Sequence, residues 1–247
     1  MTPDEIAQLF TRSDGSYFCA RWGRPLSPVV FGVEEQTLGL VKGAFEAVCA
    51  LCGHKMAETD PELGANVMVF FFRDWAELRE VPNLDRMIDG LDPLVDRLIA
   101  ADANQYRVFR FDDAGAIRAC FIFLRMDAEL SAVPADTLAL SQAVQSMLVW
   151  SDTAFAARSA LGQLEDGRVV LRPEIAGLLR AVYDPVLPVV AQDRPGMRDI
   201  LAPGVYPDVA QGAAALRHRL QTLLHSPDLR RNLGTQARNM IARTHLA

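Results

Sequence analysis

The chain lacks any excess of positive charge. Against 25 lysines and arginines it carries 31 aspartates and glutamates in 247 residues, a formal net charge of −6 with a pI near 5.3. Phosphate backbones are bound by clustered Lys and Arg, so this balance speaks against a nucleic-acid partner, and solubility is the simpler use of the charge. No apolar run approaches the roughly 20 residues that span a bilayer. The start, MTPDEIAQLF, also lacks the basic and apolar segments of a signal peptide. The expectation is a cytoplasmic protein with no membrane partner. Cysteine is scarce as well: Cys19, Cys49, Cys52 and Cys120 are too few for a disulfide framework and are expected as thiols.

Signature motifs are missing too. There is no G-x-S-x-G, no P-loop and no G-x-G-x-x-G after a strand, so nucleophile-elbow hydrolases, phosphate cradles and dinucleotide sites lack their sequence mark. The four histidines, His54, His218, His225 and His245, are dispersed. CALCGH, residues 49–54, offers C-x-x-C with a nearby His, but a tetrahedral zinc needs a fourth ligand and no second such pair exists. Buried helix thiols are the simpler account of Cys49 and Cys52. The acidic pairs Glu34-Glu35 and Asp112-Asp113 sit where a helix start and a turn explain them.

What the chain does have is half its residues apolar and 23% charged, enough to bury a substantial core. A helix is expected over 4–10 and a strand over 29–33. Residues 34–52 place Leu38, Val41, Phe45, Val48 and Cys52 at helical steps, with Gly53 as the stop. NVMVFFF, residues 66–72, is apolar almost throughout and fits a strand covered on both faces. Helical segments fill 75–103, and strands at 106–111 and 116–126 flank Asp112-Asp113-Ala114-Gly115, an antiparallel hairpin. LALSQAVQSMLVWSDTAF, residues 138–155, reads as an amphipathic helix running into a polar turn. Its buried stripe is Leu140, Val144, Met147 and Leu148, with Ser141 and Gln145 along the edge. Residues 151–172 are expected as a long loop with one short helix, and 173–183 as a helix with Pro173 in its first turn. A proline-bearing connector follows, then two C-terminal helices over 208–247 broken at Ser226-Pro227-Asp228. The segment LLHSPDLRRNLGTQARNMI is similar to the closing helices of some two-domain sugar-nucleotide glycosyltransferases. The chain has no second Rossmann-type domain, so the likeness is that of a recurrent helix pair.

The pieces RWGRPLSPVVFGV, GANVMVFFF, IRACFIFLRM, LSQAVQSMLVWSD and LLRAVYDPVLPVVAQDRPGM occur in an order and spacing that resemble an uncharacterised alphaproteobacterial family whose domain is similar to the zincin metalloproteases. The resemblance runs over residues 21–197. It implies an α+β fold: a zincin-like mixed sheet with helices packed mainly on one face over residues 1–185, then the connector and C-terminal helical extension over 186–247.

In zincins the active-site helix carries His-Glu-x-x-His, two zinc ligands one turn apart and a Glu that activates water. Laid on that pattern, Ser141 and Gln145 occupy the ligand slots and Gln142 the general-base slot. Leu148 stands where the extended motif has Gly, and Ser151 where it has a third ligand, with Asp152 beside it. Each substitution removes a function: Ser and Gln are weak neutral ligands, and an amide takes no proton at neutral pH. Any amphipathic helix can carry polar edge residues at this spacing, which leaves a purely structural reading open. The resemblance therefore implies a pseudoenzyme with no metal or cofactor, working through a protein partner or self-association. The rival is a metal-dependent hydrolase with ligands drawn from elsewhere, such as Asp152, His54 and Cys49.

Overall fold

The computed structural model describes residues 1–192. The C-terminal extension expected over 208–247 and the connector beyond Gln192 lie outside the described residues, as do His218, His225 and His245.

Helix α1 (Pro3–Gln8) opens the chain with Thr2 as its cap, in a capping box with Glu5. Strands β1 (Phe18–Ala20) and β2 (Pro28–Phe31) follow, then α2 (Glu35–Cys52). Gly53 ends α2 in the left-handed region, φ 66°, where its N–H and that of His54 reach back to Ala50 and Cys49 carbonyls. Strand β3 (Val67–Phe72) leads into a 3-10 helix (Trp75–Glu80), α3 (Leu84–Met87) and α4 (Leu91–Ala100). The hairpin β4 (Gln105–Phe111) and β5 (Ile117–Arg125) comes next, then α5 (Ala128–Ser131) and α6 (Ala135–Met147). Strands β6 (Leu161–Gln163) and β7 (Val169–Leu171), α7 (Pro173–Val182) and β8 (Val190–Gln192) complete the described chain.

The main sheet is mixed, in the order β2-β3-β5-β4. Strands β2, β3 and β5 run parallel, and β4 pairs antiparallel with β5 at the edge, Arg107 opposite Ile122 and Phe109 opposite Cys120. Side chains alternate between faces. Val67, Val69, Cys120, Ile122 and Leu124 meet Val41, Phe45 and Val48 of α2, Val144 and Met147 of α6, and Leu178 and Leu179 of α7 in one core. Phe70, Phe72, Phe121 and Phe123 meet Trp75, Leu78, Leu94, Val95 and Leu98 in a second. The mixed sheet and α+β character agree with the sequence. Helices α2, α6 and α7 do share one face, but the opposite face is not bare: the 3-10 helix, α3 and α4, which is as long as α7, cover it. The reason lies in β3, whose apolar residues at consecutive positions must be buried on both sides.

Three further details differ from expectation. Residues 151–172 hold no helix; turns lead into the β6–β7 hairpin, closed at Asp166-Gly167 with Gly167 at φ 84°. The start of the proline-bearing connector holds a strand that was not expected: β8 pairs with β1, Phe18 opposite Gln192, and Arg21 donates to the carbonyls of Val189 and Leu187. Helix α6 begins at Ala135 and ends before Leu148, which is buried and extended, φ −132° and ψ 159°. No helix among the described residues is long and apolar enough to cross a membrane.

Candidate functional site

Helix α6 lies under the sheet, and its last carbonyls have no partner within the helix. Side chains supply them. Trp22 Nε1 donates to Ser146 O at 2.8 Å, Tyr183 Oη to Met147 O at 2.7 Å and Trp150 Nε1 to Val144 O at 3.4 Å. These bonds tie the C-terminal end of α6 to the chain before β2 and to the end of α7, which fixes the rotation of α6 against the sheet.

With that rotation set, the polar residues of α6 face the edge strand. On β4, residues 105, 107 and 109 share one face. Arg107 Nη1 donates to Gln145 Oε1 at 3.3 Å, and Nη2 donates to Gln142 Oε1. Gln142 Nε2 donates to Gln105 Oε1 at 2.8 Å, and Gln145 Nε2 to Ser141 Oγ at 2.9 Å. Gln142 is 1% exposed, whereas Ser141, Gln145 and Arg107 are half-buried. Ser141 and Gln145 thus hold the edge position expected of them, while Gln142, in the general-base slot, is buried and bonded at both ends of its amide.

Arg107 is the residue that the sequence reading missed. Burial pushes its guanidinium down from the ordinary arginine value, though an arginine stays protonated in any folded protein. Among the described residues no carboxylate pairs with it, while Arg24, Arg79, Arg110, Arg118 and Arg125 each reach one. Its Nε is closed off from solvent without an acceptor. The signal in the sequence was the alternation Gln105, Arg107, Phe109, but Arg110 lies on the opposite face of the same strand, so each face carries one arginine and the pattern singles out neither.

Ser151 and Asp152 point to a different neighbour. Ser151 is buried, its Oγ donating to Gln8 O at 3.2 Å and its N–H to Leu9 O at 2.8 Å. Asp152 is exposed and accepts from Ser13 Oγ and, at 2.9 Å, from Ser13 N–H; these two bonds, the hydroxyl's first, hold its carboxyl below the ordinary range. Phe10 stacks on Trp150, ring centroids 5.4 Å apart, to anchor this N-terminal segment. The structure thus brings Ser141, Gln142 and Gln145 together with Gln105 and Arg107, and places Ser151 and Asp152 against the N-terminal segment.

The rival ligand set is not assembled. Among the described residues no group of three or more His, Cys, Asp or Glu side chains is placed to hold a metal ion. His54 Nε2 lies 2.9 Å from Arg24 O, and its ring centroid is 5.0 Å from that of Tyr183. Burial pushes the His54 imidazole below its usual value. All four cysteines are buried free thiols; burial raises Cys19, Cys49 and Cys120 to about 12, and Cys52 beyond that range.

Two of the open clefts among the described residues lie elsewhere. One, of about 560 Å³, sits at the C-terminal ends of β2, β3 and β5 between Gly32, Phe72, Arg73, Glu77 and Met126. The other, of about 370 Å³, borders Asp60, whose carboxylate is enclosed. Burial pushes the Asp60 carboxyl up, but the N–H groups of Leu63 and Glu62, the Asn66 amide and Arg24 outweigh it and leave a net lowering. Asn66 in turn accepts from Ser27 N–H at 2.7 Å and donates to Pro25 O. Asp60, Asn66, Ser27 and Arg24 are bonded to one another or to nearby backbone, so this cluster organises the loop before β3.

Comparison of the chain with protein-family models, curated proteins and solved structures found no match.

Proposed function

We propose that the chain is a zincin-like domain without metal chemistry, of the alphaproteobacterial family it resembles, which works by binding another protein or a second copy of itself as a structural or regulatory module. The observation that carries this reading is the fate of the α6 window. Ser141 and Gln145, in the two ligand slots, are bonded to each other, and Gln145 and Gln142 accept from Arg107. A fixed cation thus sits against the side chains that would otherwise surround a metal ion. Like charges repel, so a divalent ion beside a desolvated guanidinium is disfavoured. The end of α6 at Leu148, where the extended motif has its Gly, supports the alignment.

Elemental analysis of protein purified without chelator tests the proposal. The expected result is less than a tenth of an equivalent of any transition metal per chain. One tightly held zinc per chain, with hydrolysis of a peptide or ester substrate that stops on chelation, would establish the metal-dependent hydrolase instead.

A further inference from the structure

The two edges of the main sheet differ. Strand β2, at one edge, has four residues, begins at Pro28 and is preceded by Leu26, whose N–H and C=O are bonded to Lys55 and Ala57. A short, proline-bearing edge resists further pairing. Strand β4, at the other edge, runs for seven residues, QYRVFRF, with no proline, glycine, lysine or carboxylate. Its two arginines do not guard it, since Arg107 is held by Gln142 and Gln145, and Arg110 by the Met87 carbonyl 2.7 Å away.

In an antiparallel ladder the N–H and C=O of one residue point to the same side, and successive residues alternate. The Asn104 carbonyl accepts from Arg125 N–H, and Asp112 N–H donates to the Ala116 carbonyl, so the even-numbered residues of β4 turn to β5. Gln105, Arg107, Phe109 and Phe111 turn their peptide groups away from the sheet, and among the described residues none of these groups has a partner. Phe111 is also 40% exposed.

We propose that β4 is the interface of a homodimer, paired antiparallel with β4 of a second copy about a two-fold axis at Val108. The strand fits itself there. Gln105 of one copy faces Phe111 of the other and Arg107 faces Phe109, so each outward N–H meets a C=O along the whole strand. Between these pairs Arg110 faces Tyr106, and Val108 faces its own copy. Both arginines thus lie opposite aromatic rings, and no like charges are opposed. An axis at Arg107 would instead set that cation against itself and leave Phe111 beyond the pairing. An isologous contact supplies this complement by symmetry alone. The proposal rests on the reading of the domain as a binding module and names its partner.

The test uses the full chain, which should sediment at twice 27.2 kDa. Gln105→Lys with Phe111→Lys opposes like charges at both ends of the interface and should weaken the dimer about tenfold or more. Gln105→Lys with Phe111→Glu opposes unlike charges there and should restore it. Within one copy these positions lie about 20 Å apart, so only pairing between copies explains the rescue. In Val108→Cys each new thiol meets its own copy, and diamide should link the chains. Tyr106→Cys, whose two copies stand about 13 Å apart along the strands, should not link. A monomeric mass at the highest soluble concentration overturns the proposal, as does a dimer that ignores both charge pairs. Either result, with no metal on the protein, leaves the binding-module reading to another partner, whereas a stoichiometric zinc ends that reading and not the pairing of β4.

Discussion

Gln142, on α6, and Gln105, at the start of β4, are joined side chain to side chain at 2.8 Å across 37 residues of sequence, and the other end of the Gln142 amide accepts from Arg107. Both ends of one buried amide are therefore used. Truncation of Gln142 leaves a guanidinium donor without its acceptor in a desolvated place, which costs about 1–3 kcal/mol. Gln142→Ala should lower stability by that amount in urea unfolding. Gln145→Ala removes a longer, half-exposed bond and should cost less than about 1 kcal/mol. Equal losses at the two positions would contradict this ranking.

Gly32 tests how closely β2 and β3 approach at their C-terminal ends. Its φ is 81°, and a Cβ there would lie 2.3 Å from the Phe71 carbonyl oxygen. Gly32→Ala therefore combines a left-handed backbone cost of about 1–3 kcal/mol with a backbone clash. Gly167, at φ 84° with open space around its missing Cβ, is the control, since Gly167→Ala meets the backbone cost alone. The two losses, compared by thermal unfolding, should differ clearly, with Gly32 the larger.

The four thiols should be silent in the native state. Reactivity needs thiolate, and burial holds Cys19, Cys49 and Cys120 near 12 with Cys52 higher still. A disulfide reagent at pH 8 should label none within minutes and all four in denaturant. Fast native labelling of Cys49 and Cys52 together would revive a metal or redox role for CALCGH.

Among the described residues, His54 is the histidine that makes stability depend on pH in the mildly acidic range. Burial lowers its pKa in the folded state from the ordinary 6.5, the nearby Arg21 charge lowers it further, and the bond to the Arg24 carbonyl acts the other way. Above 6.5 the imidazole is neutral in both states. As pH falls through 6.5 the unfolded chain takes up a proton that the folded chain refuses, so stability declines until the folded pKa is reached. Asp60 acts in a separate window: with its folded pKa below the ordinary 3.8, its contribution is complete above 3.8 and is lost as pH falls through the folded value. His54→Gln should flatten the decline that sets in below pH 6.5 in urea unfolding and leave the acid limb below 3.8 intact.

Much of the scaffold was legible because its signals are local. The helical steps from Leu38 to Cys52 and the stop at Gly53 are one such signal, and Asp112-Asp113-Ala114-Gly115 between two apolar strands is another. The β6–β7 hairpin was not read, since strands of three residues carry too little alternation to stand out, although its Asp166-Gly167 turn was present. The second covered face was implied by β3 alone, but which helices cover it depends on the path of the chain after Trp75. The network around Arg107 is a tertiary fact. Strand alternation groups Arg107 with Gln105 and Phe109, yet nothing local says that this face meets α6, and the Ser-Gln-x-x-Gln spacing gives no hint that its partner is a guanidinium on a strand.

Whether the α6 window is closed around Arg107 is measured by a double-mutant cycle between Arg107 and Gln142. Stability is determined by urea unfolding for the wild type, Arg107→Met, Gln142→Leu and the double variant. Residues sharing one network couple by about 0.5–3 kcal/mol. The expected coupling is at least about 1 kcal/mol, with the double variant no worse than the poorer single one. Losses that add to within about 0.3 kcal/mol would show that the two side chains do not depend on each other, and would contradict the site as described.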